Sequence, residues 1–329
     1  MSDVVNKKFT NVCEQLAYNK NIERKWTMLL KVRTEPLELL TLRYLNKRMD
    51  LPSNEKFRLK SMEKGYTGEL IFDRMTESLS EERYIIDDLL LQVNNSYFQL
   101  DKVIISKDAV YLNDVKYHEG DYYIDGEKLL SFNSGREQKN PVIQLKRSET
   151  LFRQLLQNLN MDHLVRASAV FVNPEFTLYQ APIDQPIILP TQVKRFIKEL
   201  NNTPSALDKS HQKLAQTLLS MHQTKNPYST FPNYKYEQLE KGMHCRECGS
   251  LNTEVDHYDL VCGKCGTHER IEKAILRHIE EIKVLFPEIK ITTQNIYDWC
   301  NGKVSKRTFL RVLKKNYKTV GKTKDVYFE

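Results

Sequence analysis

Glycine and proline are scarce in this sequence, eleven of each among 329 residues, which excludes a collagen-like chain. No run approaches the roughly 18 uninterrupted apolar residues of a membrane-spanning helix. The start, Met1-Ser2-Asp3-Val4-Val5-Asn6-Lys7-Lys8, lacks the apolar stretch of a secretory leader, so the expectation is a soluble, cytoplasmic protein without a membrane partner. Cysteine is nearly missing from the first 240 residues, where Cys13 stands alone, while Cys245, Cys248, Cys262, Cys265 and Cys300 crowd the last quarter. A secreted disulfide framework would not cluster this way. Net charge is also missing from most of the chain: residues 1–300 balance at 41 basic and 41 acidic side chains, and 301–329 carry nine basic against two acidic. With 40% hydrophobic and 28% charged residues the chain is not disordered and has room for two or three domains with real cores.

What is present falls into segments. Residues 1–62 read as a helical extension, with Leu37, Leu39, Leu40, Leu42 and Leu45 ahead of a break at Leu51-Pro52-Ser53. Residues 63–200 read as an α/β domain. A helix opens near Tyr66-Thr67-Gly68-Glu69, strands follow over 88–93, 96–105, 109–116 and 121–124, a helix runs over 141–159, and short strands occupy 168–172 and 186–189. Residues 201–242 read as a linker carrying one helix near 207–221, 243–270 as a cysteine module, and 271–329 as a helical, winged-helix-like unit with a first helix over 271–285.

Cys245-Arg246-Glu247-Cys248 and Cys262-Gly263-Lys264-Cys265 are two Cys-x-x-Cys knuckles, each followed by a glycine, Gly249 and Gly266. Four thiolates around one tetrahedral Zn²⁺ need two such tight turns, and the intervening segment suits a hairpin, so the module is similar to a zinc ribbon. A closed four-Cys site is structural, with His244 and His257 as bystanders. The alternative is a set of redox or unliganded thiols, which chance rarely spaces this way.

In the tail, Thr293 to Cys300 reads as a short helix with Ile296 and Trp299 inward, stopped by Asn301-Gly302, and Ser305 caps a second helix running to about Lys315. This is helix-turn-helix spacing, and 317–320 with 323–328 suits a hairpin wing. Phe309, Val312 and Leu313 form the inner stripe of the second helix, and Lys306, Arg307, Arg311, Lys314, Lys318 and Lys322 supply a cationic face for DNA. The alternative is a solvated lysine-rich surface, which the confinement of the whole net charge to this unit argues against.

In the α/β domain, strand alternation puts Asp114 and Lys116 on one face, and a hairpin can set Asp101 beside Asp114. Two adjacent carboxylates repel and favour a divalent cation. The fitting chemistry is phosphodiester hydrolysis with Mg²⁺ held by Asp101 and Asp114, and Lys116 facing the developing charge. Asp87, Asp88 and Asp121 read as solvated unless the fold sets them beside Asp101, His118 as a surface histidine with reach to the site from just beyond Lys116 as its alternative, and Glu69 has an alternative as a first-turn helix acid.

Gly65-Tyr66-Thr67-Gly68-Glu69, Phe98-Gln99-Leu100-Asp101, Asp114-Val115-Lys116, Asn140-Pro141-Val142-Ile143-Gln144, Phe171-Val172-Asn173-Pro174 and Ile187-Ile188-Leu189-Pro190, in this order, resemble the nuclease-related domain (NERD) family, a branch of the PD-(D/E)XK nucleases. Asp114 stands where that family usually has Glu, and Leu100 where the wider superfamily often has Pro. The resemblance implies a restriction-endonuclease-like mixed sheet flanked by helices, an active site of Glu69, Asp101, Asp114 and Lys116 supported by Gln144, and DNA cut with Mg²⁺ or Mn²⁺. The expectation is therefore a metal-dependent deoxyribonuclease whose zinc ribbon and basic unit engage DNA. The alternatives are a catalytically inactive nuclease-like scaffold that binds DNA or regulates, and a module contacting RNA or protein. Cutting two strands often takes two sites, which makes a homodimer an option that no residue demands.

Overall fold

The computed structural model describes residues 27–322 and 326–329. The part of the helical extension over 1–26, Cys13 within it, and Lys324 in the wing lie outside the described residues. In chain order the elements are β1 (Thr27–Lys31), α1 (Leu37–Asn46), α2 (Ser53–Thr76), β2 (Arg83–Val93), β3 (Ser96–Ile105), β4 (Val110–Lys116), β5 (Gly120–Asp125), β6 (Lys128–Ser131), β7 (Glu137–Gln138), α3 (Pro141–Asn158), β8 (Val165–Phe171), β9 (Phe176–Tyr179), β10 (Ile187–Ile188), α4 (Pro190–Asn202) and α5 (Lys209–Met221). A 3₁₀ turn at Tyr236–Gln238 leads to β11 (Thr253–Asp256), β12 (Asp259–Cys262), β13 (His268–Arg270), α6 (Ile271–Leu285), α7 (Thr293–Trp299), α8 (Lys306–Asn316), β14 (Thr319–Val320) and β15 (Tyr327–Phe328). No helix among the described residues is long and apolar enough to cross a membrane.

The chain forms two compact units. Among the described residues, one takes Thr27–Thr34 and Gly65–Asn226, and the other Glu35–Lys64 with those from Pro227 onward. The first unit is mixed α/β. Its main sheet has the order β1-β2-β3-β4-β8-β10, antiparallel across β2, β3 and β4 and parallel at β1–β2, β4–β8 and β8–β10. Both faces are covered, which is why the strands read as nearly continuous apolar runs. Val103, Ile105, Val110 and Leu112 pack with Phe152 and Leu155 of α3 and with Leu214 and Leu218 of α5. Their strand neighbours Ile104 and Tyr111 pack with Phe72 of α2 and with Val193 and Ile197 of α4. A second sheet of order β7-β6-β5-β9 follows the end of β4.

The period of two is broken once on each of two neighbouring strands. Ile86 and then Leu89 and Leu91 enter the same core from β2, as do Leu100 and then Val103 from β3. The breaks lie opposite one another, because Asp87 pairs with Lys102 and Leu89 with Leu100, leaving Asp88 facing Asp101 with a left-handed backbone at Asp88 (φ 52°). Just before the break Asp87 shares a covered face with Ile85, where burial pushes its carboxyl up and Lys102 answers it with an ion pair. Asp87 is thus buried, not solvated, and Asp88 lies beside the strand that carries Asp101.

Other departures share this tertiary origin. Residues 27–31, expected helical, form an edge strand because β2 offers a parallel partner. The helix expected near Tyr66 begins at Ser53 and runs unbroken through both glycines to Thr76, so Glu69 lies deep in a helix and not in its first turn. The helix expected in a linker, α5, buries Leu214, Ala215 and Leu218 against the main sheet as part of the first core.

The second unit has one core. Leu42 and Leu45 of α1 and Leu51 before α2 pack with Met243, Leu260, the inner face of α6, Trp299, Phe309, Val312 and Leu313. Residues 35–64 are therefore structural members of the C-terminal unit, and 243–270 and 271–329 share a single hydrophobic centre. Arg48 and Glu281, both fully buried, join by a two-point ion pair (Nε–Oε1 2.9 Å, Nη2–Oε2 2.6 Å). The Arg48 guanidinium stacks over Trp299 at 4.0 Å, and it also donates to the carbonyls of Glu240 and Gly242. Removing one partner of a buried pair strands the other charge and typically costs about 3–5 kcal/mol. Arg48→Met is expected to destabilise this unit by about that amount, read by urea titration of Trp299 fluorescence in a Trp26→Phe background.

Candidate active site and cysteine centre

The candidate active site lies where β3 and β4 part. Their ladder runs from Ile105↔Val110 to Lys102↔Asn113, so the next facing pair is Asp101 and Asp114. There the Val115 N–H turns to the Asp101 side chain, donating to Oδ2 at 2.7 Å, while Asp114 to Lys116 pair on with β8 alone. At this notch in the strand ladder both carboxylates lie largely buried. Lys116 Nζ is 2.8 Å from Asp114 Oδ2, two residues along the same strand face, as strand alternation requires. From α3, whose N-terminus Asn140 caps by accepting from Val142 N–H, Gln144 Nε2 reaches to 3.5 Å from Asp114 Oδ1. From α2, Glu69 approaches Asp101 closely enough to repel it.

The electrostatics follow from this crowding. Burial and the repulsion of Asp101 push Glu69 up to about 8 and Asp114 up to about 6. Burial also raises Asp101, although Lys116 and the Val115 N–H oppose it. Burial works against the Lys116 ammonium, but Asp114 and Asp101 outweigh it and raise its pKa.

Sequence reasoning missed Arg33. It follows β1 and is only 7% exposed. It donates to Glu69 Oε2 at 2.7 Å, to both oxygens of Asp73 at 2.8 and 3.2 Å, and to the Asp101 carbonyl at 2.7 Å. No local signal marks it, since its partners lie 36 to 68 residues away. His118 is no surface histidine: it sits 5.3 Å from the Tyr122 ring and 5.8 Å from Phe171, and burial lowers it to about 4.

The close fit of α2 depends on Gly68. A Cβ there would stand 2.7 Å from Tyr117 Cβ, whereas one at Gly65 meets nothing within 4 Å. Gly-to-Ala in a helix ordinarily stabilises by about 0.5–1 kcal/mol. Gly65→Ala should do so, while Gly68→Ala should lose about 1–3 kcal/mol by overpacking and carry Glu69 off the sheet, as paired thermal melts would read.

In the second unit, the Cys245, Cys248, Cys262 and Cys265 Sγ atoms all lie within 4.8 Å of one another. Cys245–Cys265 and Cys248–Cys262 are each 3.6 Å apart, close to the about 3.8 Å edge of a tetrahedron with 2.3 Å metal–sulfur bonds. The two knuckles match: Glu247 N–H points to Cys245 Sγ and Lys264 N–H to Cys262 Sγ, both at 3.4 Å. Gly249 and Gly266 take left-handed backbones (φ 68° and 71°) that let the chain turn back. The cluster has the form of a zinc ribbon.

One further set, His244, His278 and Glu281, also brings three ligand atoms within 4.8 Å. Its valences are already used. Arg48 takes both Glu281 oxygens, the Ala274 carbonyl accepts from His278 Nδ1, and His278 Nε2 accepts from His244 N–H. Glu69, Asp101 and Asp114 do not close to the same 4.8 Å, and Arg33 holds Glu69 on its own side.

The tail folds as helix, turn, helix. Thr292 and Ser305 cap α7 and α8, Asn301 and Gly302 take positive φ in the turn, and Ile296, Trp299, Phe309, Val312 and Leu313 are buried. Lys306, Arg307, Arg311, Lys314, Lys318 and Lys322 are all exposed, and β14 pairs antiparallel with β15.

Residues 64–172 match the family model of the nuclease-related domain, NERD. The match spans the second half of α2 through β8 and takes in Glu69, Asp101, Asp114, Lys116 and Gln144, but not Arg33. No curated protein and no solved structure matches the chain.

Proposed function

We propose that this protein is a deoxyribonuclease dependent on Mg²⁺ or Mn²⁺, hydrolysing phosphodiester bonds at the notch between β3 and β4, with the basic helix α8 and the cysteine module engaging DNA. The observation that carries the reading is the juxtaposition of Asp101, Asp114, Lys116 and Gln144 from two strands and a helix, with Glu69 near enough on α2 to repel Asp101, inside a segment that matches a nuclease-related domain.

The donor set fits a hard cation. Asp114 Oδ2 is buried with the Lys116 ammonium as its one neighbouring cation, and burial and mutual repulsion raise both carboxyls, which a divalent ion would relieve. Asp101 and Asp114 would hold the ion, which when bound polarises the phosphate and lowers the pKa of a water. Lys116 faces the negative charge that builds on the phosphoryl oxygens as water adds to phosphorus and the P–O bond breaks. Gln144 offers its amide to orient an oxygen beside Asp114. Cys245, Cys248, Cys262 and Cys265 would hold Zn²⁺, which with four thiolate ligands would serve a structural role. Lys306, Arg307, Arg311, Lys314, Lys318 and Lys322 supply phosphate contacts.

The test is cleavage of supercoiled, linear and single-stranded DNA with Mg²⁺, Mn²⁺ or EDTA, beside Asp114→Ala and Lys116→Ala proteins that retain their zinc. Cutting should need the added metal and vanish in both variants. Tight binding with no cutting under any metal would make the protein a DNA reader on a nuclease-like scaffold. In the same preparations, Arg311→Ala should lower the salt slope of DNA binding by about one phosphate's worth, and an unchanged slope would remove α8 from the interface.

A further inference from the structure

A chain of charges of alternating sign adjoins the notch: Asp87, Lys102, Asp73, Arg33, Glu69, with Asp73 and Glu69 half-buried and the other three buried. Lys102 Nζ pairs with Asp87 and lies 2.9 Å from Asp73 Oδ1, and Asp73 then receives the Arg33 fork at 2.8 and 3.2 Å. Arg33 and Lys102 together pull the Asp73 carboxyl below its usual range against its burial. The remaining two bonds of Arg33, both 2.7 Å, go forward to the Glu69 carboxylate and the Asp101 main-chain carbonyl. The guanidinium thus fastens the end of β1, one face of α2 and the strand residue whose side chain holds Val115 N–H.

We propose that Arg33, outside the segment that matches the nuclease-related domain, is a positioning residue of this nuclease: it sets Glu69 and the Asp101 strand end relative to Asp114 and Lys116. The inference rests on the nuclease reading above. The planar fork is essential, because one side chain satisfies three partners in fixed directions. A lysine carries the same charge but is a single point on a flexible stem. Asp73 takes two points of the fork, which fixes the plane of the guanidinium. An arginine serving only stability would be replaceable in function, whereas this one acts through Glu69 and through the carbonyl of Asp101.

The test uses full-length, zinc-loaded protein carrying Arg33→Lys, Arg33→Met, Glu69→Gln, or Arg33→Met with Glu69→Gln. Amide exchange, read residue by residue, should rise more than about tenfold at Val115, whose acceptor Asp101 is released, and stay unchanged at Leu112 inside the ladder. In cleavage, both Arg33 variants should lose about 100-fold in kcat, the scale of a small misplacement of reacting groups, with KM for DNA unchanged. The double variant should lose no more than the worse of its parents, as expected when both act through one interaction. Parallel rises at Val115 and Leu112, full activity in Arg33→Lys, or additive losses in the double variant would each overturn the proposal. If the unaltered protein cuts no DNA under any metal, the nuclease reading fails by itself, and an unmoved Val115 amide in Arg33→Met would then sink the positioning role separately.

Discussion

Asp101→Asn should leave the protein folded and reduce DNA cleavage by about 10²–10³-fold, the effect of deleting one preorganised charge from a transition state. The substitution is close to isosteric, and the Asn amide oxygen can still accept the Val115 N–H that ties β4 to the end of β3. What disappears is the negative charge, which helps push Glu69 up to about 8 and Asp114 up to about 6. Stability should therefore hold or rise slightly as like-charge repulsion is relieved, while activity collapses. That opposed pair of outcomes marks a residue kept for chemistry at some expense to the fold. The check is a thermal melt and a turnover rate on one preparation; a melt that falls along with the rate would make Asp101 a structural residue.

Stripping the metal from the cysteine cluster, or substituting Cys262→Ser, should unfold the ribbon. Its strands are three or four residues long, and its apolar contribution to the shared core comes mainly from Met243 and Leu260. So small a sheet cannot bury enough apolar surface to offset the entropy of ordering it. Structural zinc supplies about 10–16 kcal/mol in zinc-finger peptides, on the scale of the whole stability of a typical domain. The ribbon also touches the rest of its unit, since Gly242 N–H bonds the Trp299 carbonyl and Lys303 Nζ the Thr253 carbonyl. Trp299 emission should consequently shift on chelation, and zinc added back should restore it. A circular dichroism spectrum and Trp299 emission both unmoved by complete metal removal, verified by elemental analysis, would show four thiols that hold nothing.

Much of this was written locally. The two knuckles, the Ser305 cap, the stop at Asn301-Gly302 and the bounds of β3 and α6 depend on residues within a turn or two of one another, so spacing and side-chain type suffice to read them. Asp114 and Lys116 share a face because any strand alternates, and the glycine-rich approach to Glu69 was visible as a motif although its helix was read as starting too late.

The rest depended on partners far off in the chain. Residues 27–31 became a strand because β2 accepted them, and residues 35–64 joined the C-terminal core because α6 and Trp299 offered the matching apolar surface. Asp87 read as solvated until strand pairing set it against Lys102 on a buried face, and nothing local marked Arg33. The sequence by itself determined the elements whose ends are set locally and the chemical groups they carry, because caps, knuckles and periodicity are satisfied by near neighbours. Only the tertiary structure decided which charges are buried as pairs and that Arg33 faces Glu69, because burying a charge is tolerable only where distant segments bring its counter-charge to meet it.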